Sequence, residues 1–432
     1  MTQKKLVASV LVGNTMEFYD FIVFAFMSKH ISALFFPNAD LLLSYISTFG
    51  VFASGYLMRP IGGLFFGYIG DKYGRKISLS YSVLIITIAT FLIGLLPTYN
   101  EVGIMAPILL TLCRLVQGFS VSGEEGGAAV YLAEMVGANK IAYAGSLVLG
   151  SAYFGVLLGS ATCLILSLTF TSEQVSAFAW RLPFFLSVLL GIPSLLMRRN
   201  LIETQAFRTK GSFSNPIVEL FKTSPLAVIL DTIMVASLAI PIYLFTIFIP
   251  SYLTSALNMD TTVSQTISVI SLIFLSFGVP LLGKMADTYG KYKIYCIGCA
   301  YNIVLSYPIF YLIATTDYTA VCFGILLLGI GLLFIAGPMF AILIAKYNSN
   351  VRYTAVSFVF NTSMSIFGSL TPLVAFYLIS QSKNLLSPWI LLLISGIVGL
   401  TFLRLRHITE NSYQRGNNND QNISRANTAS SR

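Results

Sequence analysis

The sequence predicts an all-α polytopic membrane protein: twelve transmembrane helices in two six-helix bundles, with both termini cytoplasmic. Three observations carry this expectation. The chain is 56% hydrophobic and 10% charged, with a mean hydropathy of +0.80, where a soluble domain carries about a quarter charged residues. Its apolar stretches recur along the whole length, most of them reaching the roughly 20 residues that cross a bilayer. Its basic residues cluster in alternate loops.

The apolar spans lie near 6–36, 44–66, 79–97, 103–133, 141–170, 180–197, 225–253, 263–283, 294–313, 318–345, 352–380 and 387–404. Several exceed a bilayer's thickness, so tilt or kinking is expected. The first span follows MTQKK without a small-residue cleavage site and reads as a retained helix. With the N-terminus inside, the inner loops and helix ends hold Lys4, Lys5, Arg59, Lys72, Arg75, Lys76, Lys140, Arg198, Arg199, Lys284, Lys291 and Arg352 among others. The outer loops hold mainly Asp40, Glu101, Glu173, Asp260 and Asp317, with Lys383 the basic exception. That asymmetry sets the orientation and accounts for the net charge of +9 without a nucleic-acid partner.

The longest inner loop divides the chain into 1–197, a linker at 198–224, a second bundle at 225–404 and a polar tail at 405–432. An internal repeat supports the division. FFGYIGDKYGRKISL follows the second span and LLGKMADTYGKYKIY the eighth, so Gly67, Asp71, Gly74 and Arg75 correspond to Gly283, Asp287, Gly290 and Lys291. Asp71 and Arg75 are one helical turn apart with Lys76 adjacent, and the glycines permit close approach.

Catalytic and cofactor chemistry find little support. There is no G-x-x-x-x-G-K-[ST] loop for ATP, and the five cysteines and two histidines show no metal-ligand spacing. No cofactor, metal or enzymatic activity is expected. A solute carrier driven by gradients fits best, and a transporter-like receptor is the alternative of a different class. The tail has no output module or coiled-coil heptads to favour signalling.

The loop GYIGDKYGRK resembles the signature of the major facilitator superfamily. GNTMEFYDF (13–21), LFFP (34–37), RPIGG (59–63), RLVQGFSVSGEEGGAAVYLAE (114–134), WRLPFF (180–185) and YLFTIFIPSYL (243–253) resemble its metabolite:proton symporter branch, which carries proline/betaine, shikimate, oxoglutarate and citrate. The resemblance spans about residues 6 to 404. It implies a bacterial inner-membrane symporter and a gate at Gly67, Asp71, Gly74, Arg75, Lys76, Asp287 and Lys291 that locks the cytoplasmic helix ends. Two positions depart from the branch: Phe18 stands where tryptophan is usual, and Glu125 where an aromatic residue is usual.

The candidate binding and coupling residues are polar groups inside apolar spans. Asn14, Glu17 and Asp20 form one stripe on the first helix, with Glu17 about 16 Å and Asp20 about 21 Å in from its start. Charges at that depth face protein or water. Packing against neighbours and handling a proton or substrate both fit. Arg114 reaches a comparable depth from the other side and suits either a pair with one of those carboxylates or a substrate carboxylate, with Gln117 as a companion donor. Glu124 and Glu125 lie about 15 Å nearer the cytoplasm, as a gate, a relay or plain vestibule polarity. Lys29 and His30 read as outer-end polar caps, Asp231 as a helix-start residue, and Asn361 as a cavity or interhelical group. Tyr19, Tyr243, Phe245 and Tyr252 offer faces for a quaternary ammonium.

Mixed charge at mid-membrane suits a small zwitterion such as proline or betaine, imported with protons. Organic di- or tricarboxylates are the alternative, which Glu125 opposes if it shares the cavity. The expected partners are thus a small metabolite, protons and membrane lipid, with one chain acting as a monomer.

Overall fold

The computed structural model describes residues 3–37, 41–209, 215–315 and 317–405. Asp40, Lys210 and the tail from 406 onward, with Arg406, lie outside the described residues, as does the Lys29 side chain. Every regular element described is helical.

The apolar runs become long helices because a bilayer offers backbone N–H and C=O groups no partner but each other. In chain order they are α1 (Gln3–Phe26), α2 (Leu41–Lys72), α3 (Arg75–Leu95), α4 (Met105–Val136), α5 (Ile141–Thr169) and α6 (Leu182–Arg199). There follow α7 (Pro225–Ser255), α8 (Thr261–Tyr289), α9 (Lys291–Ile313), α10 (Tyr318–Ile344), α11 (Arg352–Ser382) and α12 (Trp389–Leu405). Among the described residues, ten helical stretches are long and apolar enough to cross a membrane. The two expected spans not among the ten are α2, a continuous helix with Pro60 inside it, and the shorter α12.

The surface is apolar and the interior holds charge. Leu168, Leu57 and Val304 are 79%, 74% and 71% exposed, whereas Arg75, Arg114 and Arg198 are 0% exposed. That inversion is what a lipid solvent selects. Within the first six helices α1 packs on α5 and α6, α2 on α4, and α3 on α4 and α6. In the remainder α7 packs on α11, α8 on α10, and α9 on α10. Two seams join the sets: α2 and α4 against α11, and α5 against α8 and α10.

The repeat read from the sequence occupies equivalent places on the two seams. A Cβ on Gly67 would stand 2.5 Å from the Thr354 Cα on α11, and one on Gly283 would overlap Ser146 on α5. Gly74 and Gly290, which end α2 and α8, take φ of +128° and +99°. Side chains seldom adopt that backbone. It turns the chain at once into α3 and α9, whose first turn at α3 is capped by Glu203, accepting from Arg75 N at 3.1 Å and Lys76 N at 3.2 Å. At the opposite end, Asp260 and Asp317 cap α8 and α10 through Thr262 N at 2.8 Å and Thr319 N at 3.0 Å.

Gly74→Ala is expected to cost about 1–3 kcal/mol, because the new Cβ requires a glycine-only conformation. Its Cβ would also stand 2.5 Å from Glu203 Oε2. Gly50, inside α2 with nothing within 4 Å of its Cβ position, should behave oppositely: Gly50→Ala gains about 1 kcal/mol of helix propensity. Thermal unfolding of the detergent-solubilised variants checks the pair. Equal midpoints for both would contradict the backbone argument.

Candidate functional site

A cavity of about 760 Å³ lies between the two sets of helices. Its deep wall is built by Phe18 of α1, Tyr56 and Arg59 of α2, Glu125 of α4, Tyr153 of α5 and Tyr243 of α7. Its mouth, with His30, Ser172 and Ser264, lies at the end opposite the GDKYGRK loop. The π-helical segments Leu244–Phe248 of α7 and Met364–Gly368 of α11 flank it, bringing Phe245 and Met364 to its wall. Such bulges re-aim side chains at functional sites.

The floor carries one cation and one anion. Arg59 NH2 lies 3.4 Å from Glu125 Oε2, and Arg59 Nε donates to Asn361 Oδ1 at 2.9 Å. Asn361 in turn donates to Ser122 O at 2.9 Å and Ser357 O at 2.8 Å. Arg59 sits over the Tyr56 ring at 5.8 Å, and that ring meets Tyr243 edge-on at 5.9 Å and Phe21 at 5.2 Å. An aromatic collar therefore surrounds an ion pair. A ligand bearing both charges has a partner for each.

Beyond the floor, the loop-signature end is shut by charge-assisted contacts across both seams. Asp71 accepts from Thr354 N and Thr354 Oγ1, each at 2.8 Å, at the N-terminus of α11. Asp287 accepts from Ala142 N and Tyr143 N, both at 2.8 Å, at the N-terminus of α5. Each repeat thus docks its aspartate on the first turn of a helix from the other set, where the helix dipole favours an anion. Arg75 contacts Asp71 and Glu134, each at 3.3 Å, and donates to Ser349 O at 3.0 Å. Glu134 also meets Arg352 of α11 at 3.2 Å. The repeat is imperfect in its bases: Lys291 reaches Ala341 O of its own set at 3.2 Å, and Lys76 bonds Arg199 O at 2.7 Å.

Of the other polar residues singled out from the sequence, His30 sits at the cavity mouth and the rest named here lie off the cavity wall. Helical phase separates them: Phe18, Phe21, Ile22 and Ala25 line the cavity, while Asn14, Glu17 and Asp20 turn into the packed interior of α1, α4, α5 and α6. Asn14 donates to Val148 O and Ser151 Oγ, each at 2.8 Å. Tyr19 donates to Pro183 O at 2.8 Å and does not line the cavity. Arg114 donates to Phe21 O at 3.1 Å and Gln117 Oε1 at 2.8 Å, with its guanidinium 4.7 Å and 4.5 Å from the Phe21 and Phe24 rings. Gln117 bonds Thr90 Oγ1 at 2.7 Å. Glu124 binds Arg198, which donates to both of its oxygens. Asp231, near the start of α7, is buried and held by Lys346 at 3.2 Å and Tyr347 at 2.7 Å. Tyr252 bonds Leu385 O at 3.0 Å, and His30 meets Ser176 Oγ at 3.1 Å.

A cavity closed at one end by paired helix-terminal aspartates describes a carrier, and comparison with known proteins gives its family. The model of the Major Facilitator Superfamily matches residues 21–372. The chain belongs to the Major Facilitator Superfamily. It is 33% identical over 410 residues to the proline/betaine transporter of Escherichia coli (strain K12), covering 92% of this chain and 82% of that one. Identity, length and coverage are the same for the glycine betaine/proline/ectoine/pipecolic acid transporter OusA of Dickeya dadantii (strain 3937). The solved proton:xylose symporter XylE superposes with a TM-score of 0.76 over 93% of this chain and 94% of its own, at 15% identity, which marks a shared fold. The chain is thus a secondary transporter and not an enzyme, an integral membrane protein of the bacterial inner-membrane kind, in the metabolite:proton symporter branch.

Three participants of this superfamily member's polar network escaped the sequence reading. Arg59 and Arg198 counted only as loop charges that set orientation, yet they are 3% and 0% exposed. Arg59 lies thirteen residues before Lys72, about 20 Å into α2. The depth arithmetic applied to Glu17 would have found it. Glu134 had no such signal, since it sits at the end of a span and gains its role only from Arg75 and Arg352.

Asp71→Asn removes the charge from three contacts across the α2–α11 seam, from Tyr353 N, Thr354 N and Thr354 Oγ1, the two shorter ones each worth about 1.5–3 kcal/mol when ionised. Ser357 is buried in that seam. In a background lacking the native cysteines, a thiol introduced by Ser357→Cys should react with maleimide roughly tenfold faster once Asp71→Asn is added. An unchanged labelling rate would leave the loop charges with a topological role alone.

Proposed function

We propose that this transporter imports a small zwitterion, proline- or betaine-like, together with protons, by alternating access. The Arg59–Glu125 pair on the cavity floor carries the reading. A substrate carboxylate takes the Arg59 guanidinium, and its cationic end takes Glu125 within the collar of Tyr56, Tyr243 and Phe21. The names of the relatives agree with that chemistry. Di- and tricarboxylates fit less well, since the guanidinium on the floor already faces a carboxylate.

The rocking units are 1–197 and 225–404, twelve spans in all, joined by 198–224, with both termini in the cytoplasm. In this arrangement the described state is open outward and shut inward. Breaking the Asp71, Asp287 and Glu134 contacts lets the floor open inward, and the protein works as a monomer because one chain supplies both units.

Reconstituted vesicles test this with labelled proline, betaine, citrate, oxoglutarate and shikimate. Saturable uptake of a zwitterion is expected, driven by a pH gradient. Arg59→Gln should raise its half-saturation concentration about 10- to 100-fold, the worth of one charge-assisted contact. Cys163, on the cavity wall, should be protected from maleimide by the same solute. Saturable citrate uptake with neither transport of nor competition by the zwitterions would replace this reading with an anion carrier, and uptake indifferent to pH gradient and membrane potential would remove the proton.

A further inference from the structure

The deep wall of the cavity carries a polar group that neither the ion pair nor the packing uses. Tyr153 of α5 is 5% exposed and lines the cavity, and its hydroxyl has no hydrogen-bond partner among the described residues. A buried hydroxyl left unbonded is costly, so phenylalanine would serve better if packing were the only task at this position. The two other tyrosines of the deep wall are satisfied, because Tyr56 and Tyr243 are hydrogen-bonded to each other.

The helix fixes where Tyr153 stands. Leu149, Ala152, Tyr153, Val156 and Ser160 recur at helical spacing and form the stripe that α5 turns to the cavity. Glycines on either side of Tyr153 bring α5 against its neighbours: a Cβ on Gly150 would stand 2.6 Å from Ser276 O of α8, and one on Gly155 2.3 Å from Thr15 O of α1. The phenol is thus held between two close helix crossings, as a preorganised contact requires. Ser160, the next hydroxyl on the stripe, lies about 10 Å nearer the mouth.

The Tyr153 hydroxyl belongs to the acidic side of the floor, since Glu125 is the charged residue that acts on it. Glu125 begins the second part of α4, which is interrupted between Val121 and Glu125. At that break Glu124 turns to Arg198 in the interior, and Glu125 to Arg59 and the cavity. The field of the Glu125 carboxylate orients the phenol dipole with its hydrogen toward the anion, which leaves the oxygen lone pairs to accept from the cavity. An ammonium seated here meets two acceptors, one charged and one neutral.

The aromatic rings offer a cation less than their number suggests. Arg59 lies over the Tyr56 ring at 5.8 Å and Arg114 over the Phe21 ring at 4.7 Å. Tyr243 packs against Gly368 of α11 so closely that a Cβ there would stand 2.5 Å from the ring. All three rings of the collar already carry a neighbour, so recognition of the substrate nitrogen falls to hydrogen bonds more than to open π faces.

We propose that Tyr153 sets the substrate class: its hydroxyl oxygen accepts one N–H of the substrate ammonium while Glu125 takes another, so the cavity prefers amino and imino acids to fully N-methylated betaines. This deepens the zwitterion reading and rests on it. N-methylation removes the donors one at a time and leaves the carboxylate and the net charge unchanged. The first methyl group takes the N–H from the neutral acceptor, Tyr153, because the remaining one stays with the charged acceptor, Glu125. A site that hydrogen-bonds an N–H discriminates against the analogue lacking it, since its own buried group is then left unbonded.

The test compares proline, N-methylproline and N,N-dimethylproline, with binding read from protection of Cys163 on the cavity wall against maleimide in a background lacking the other native cysteines. With Tyr153 present, the half-protecting concentration should rise about 10- to 100-fold at the first methylation. In Tyr153→Phe, proline should weaken to the level of N-methylproline while the dimethylated compound binds as before. In vesicles the same variant should raise the half-saturation concentration for proline with turnover unchanged. The thermal midpoint of the ligand-free variant should not fall, since the hydroxyl removed has no partner; a lowered midpoint with all three ligands weakened alike assigns Tyr153 to structure and overturns the proposal. Equal binding of the three by the wild type, tighter binding of the dimethylated compound, or a first-methylation penalty that survives Tyr153→Phe also overturns it, and leaves the zwitterion reading standing. Should Tyr153→Phe fail to fold, the wild-type series alone decides the first two of these outcomes. Arg59→Gln should weaken all three ligands alike, because they share the carboxylate. Protection by none of the three in the wild type overturns the zwitterion reading and this proposal with it.

Discussion

The cost of holding charge inside a membrane organises this protein. A lone carboxylate or guanidinium at mid-bilayer is expensive against lipid, so each ionic side chain in the span region sits in a protein interior, on a cavity wall or at a helix terminus. Three layers result. At the loop-signature end Asp71, Arg75, Glu134 and Arg352 form a network across the seam. On the cavity floor Arg59 meets Glu125, and behind that floor Arg198 holds Glu124. Each layer is stable only while its members stay together, and two of the three involve contacts between helix sets. Moving the sets therefore rearranges charge, and rearranging charge moves the sets.

The seams show how little chemistry this requires. Asp71 on α11 and Asp287 on α5 make the same contact, a carboxylate on unpaired N–H groups at a helix start. The attraction is strong over the first turn and falls off quickly beyond it. It favours one closed arrangement without resisting its release over a long path. The glycines at the two crossings add the steric half of the device, since backbones packed this closely can part but not interpenetrate. Arg75 bridges its seam while Lys291 stays within its own set, so the α2–α11 seam holds more polar contacts between the two sets than the α5–α8 seam.

Much of this was legible in the sequence, and the limits were physical. The helices followed from hydropathy, and the correspondence of Gly67, Asp71 and Gly74 with Gly283, Asp287 and Gly290 followed from spacing. Depth along a helix was readable too, which is how Glu17, Asp20 and Arg114 were found. Direction around the helix was not, because α1 is buried on most of its circumference. Periodicity puts Glu17 and Asp20 on one stripe and Phe18 and Phe21 on another, but nothing in it says which stripe meets water. The cavity took the aromatic stripe and the packed interior took the acidic one. Arg59 and Arg198 were lost for a different reason: a basic residue near a span's end satisfies the orientation rule whether it is solvated or buried, so the rule absorbs it without asking for a partner.

Glu124 and Glu125 show why adjacency in sequence misleads in a helical membrane protein. Successive residues on a helix point about 100° apart, and the break in α4 lets the two diverge further. One carboxylate ends in the interior beside Arg198 and the other in the cavity beside Arg59. Read as a tandem they look like a single vestibule of doubled charge, which would repel any anionic substrate. Placed by the fold they are two half-pairs, each balanced by its own arginine. The floor is then neutral overall but locally bipolar, an arrangement that would give the proposed zwitterion a partner for each of its two charges.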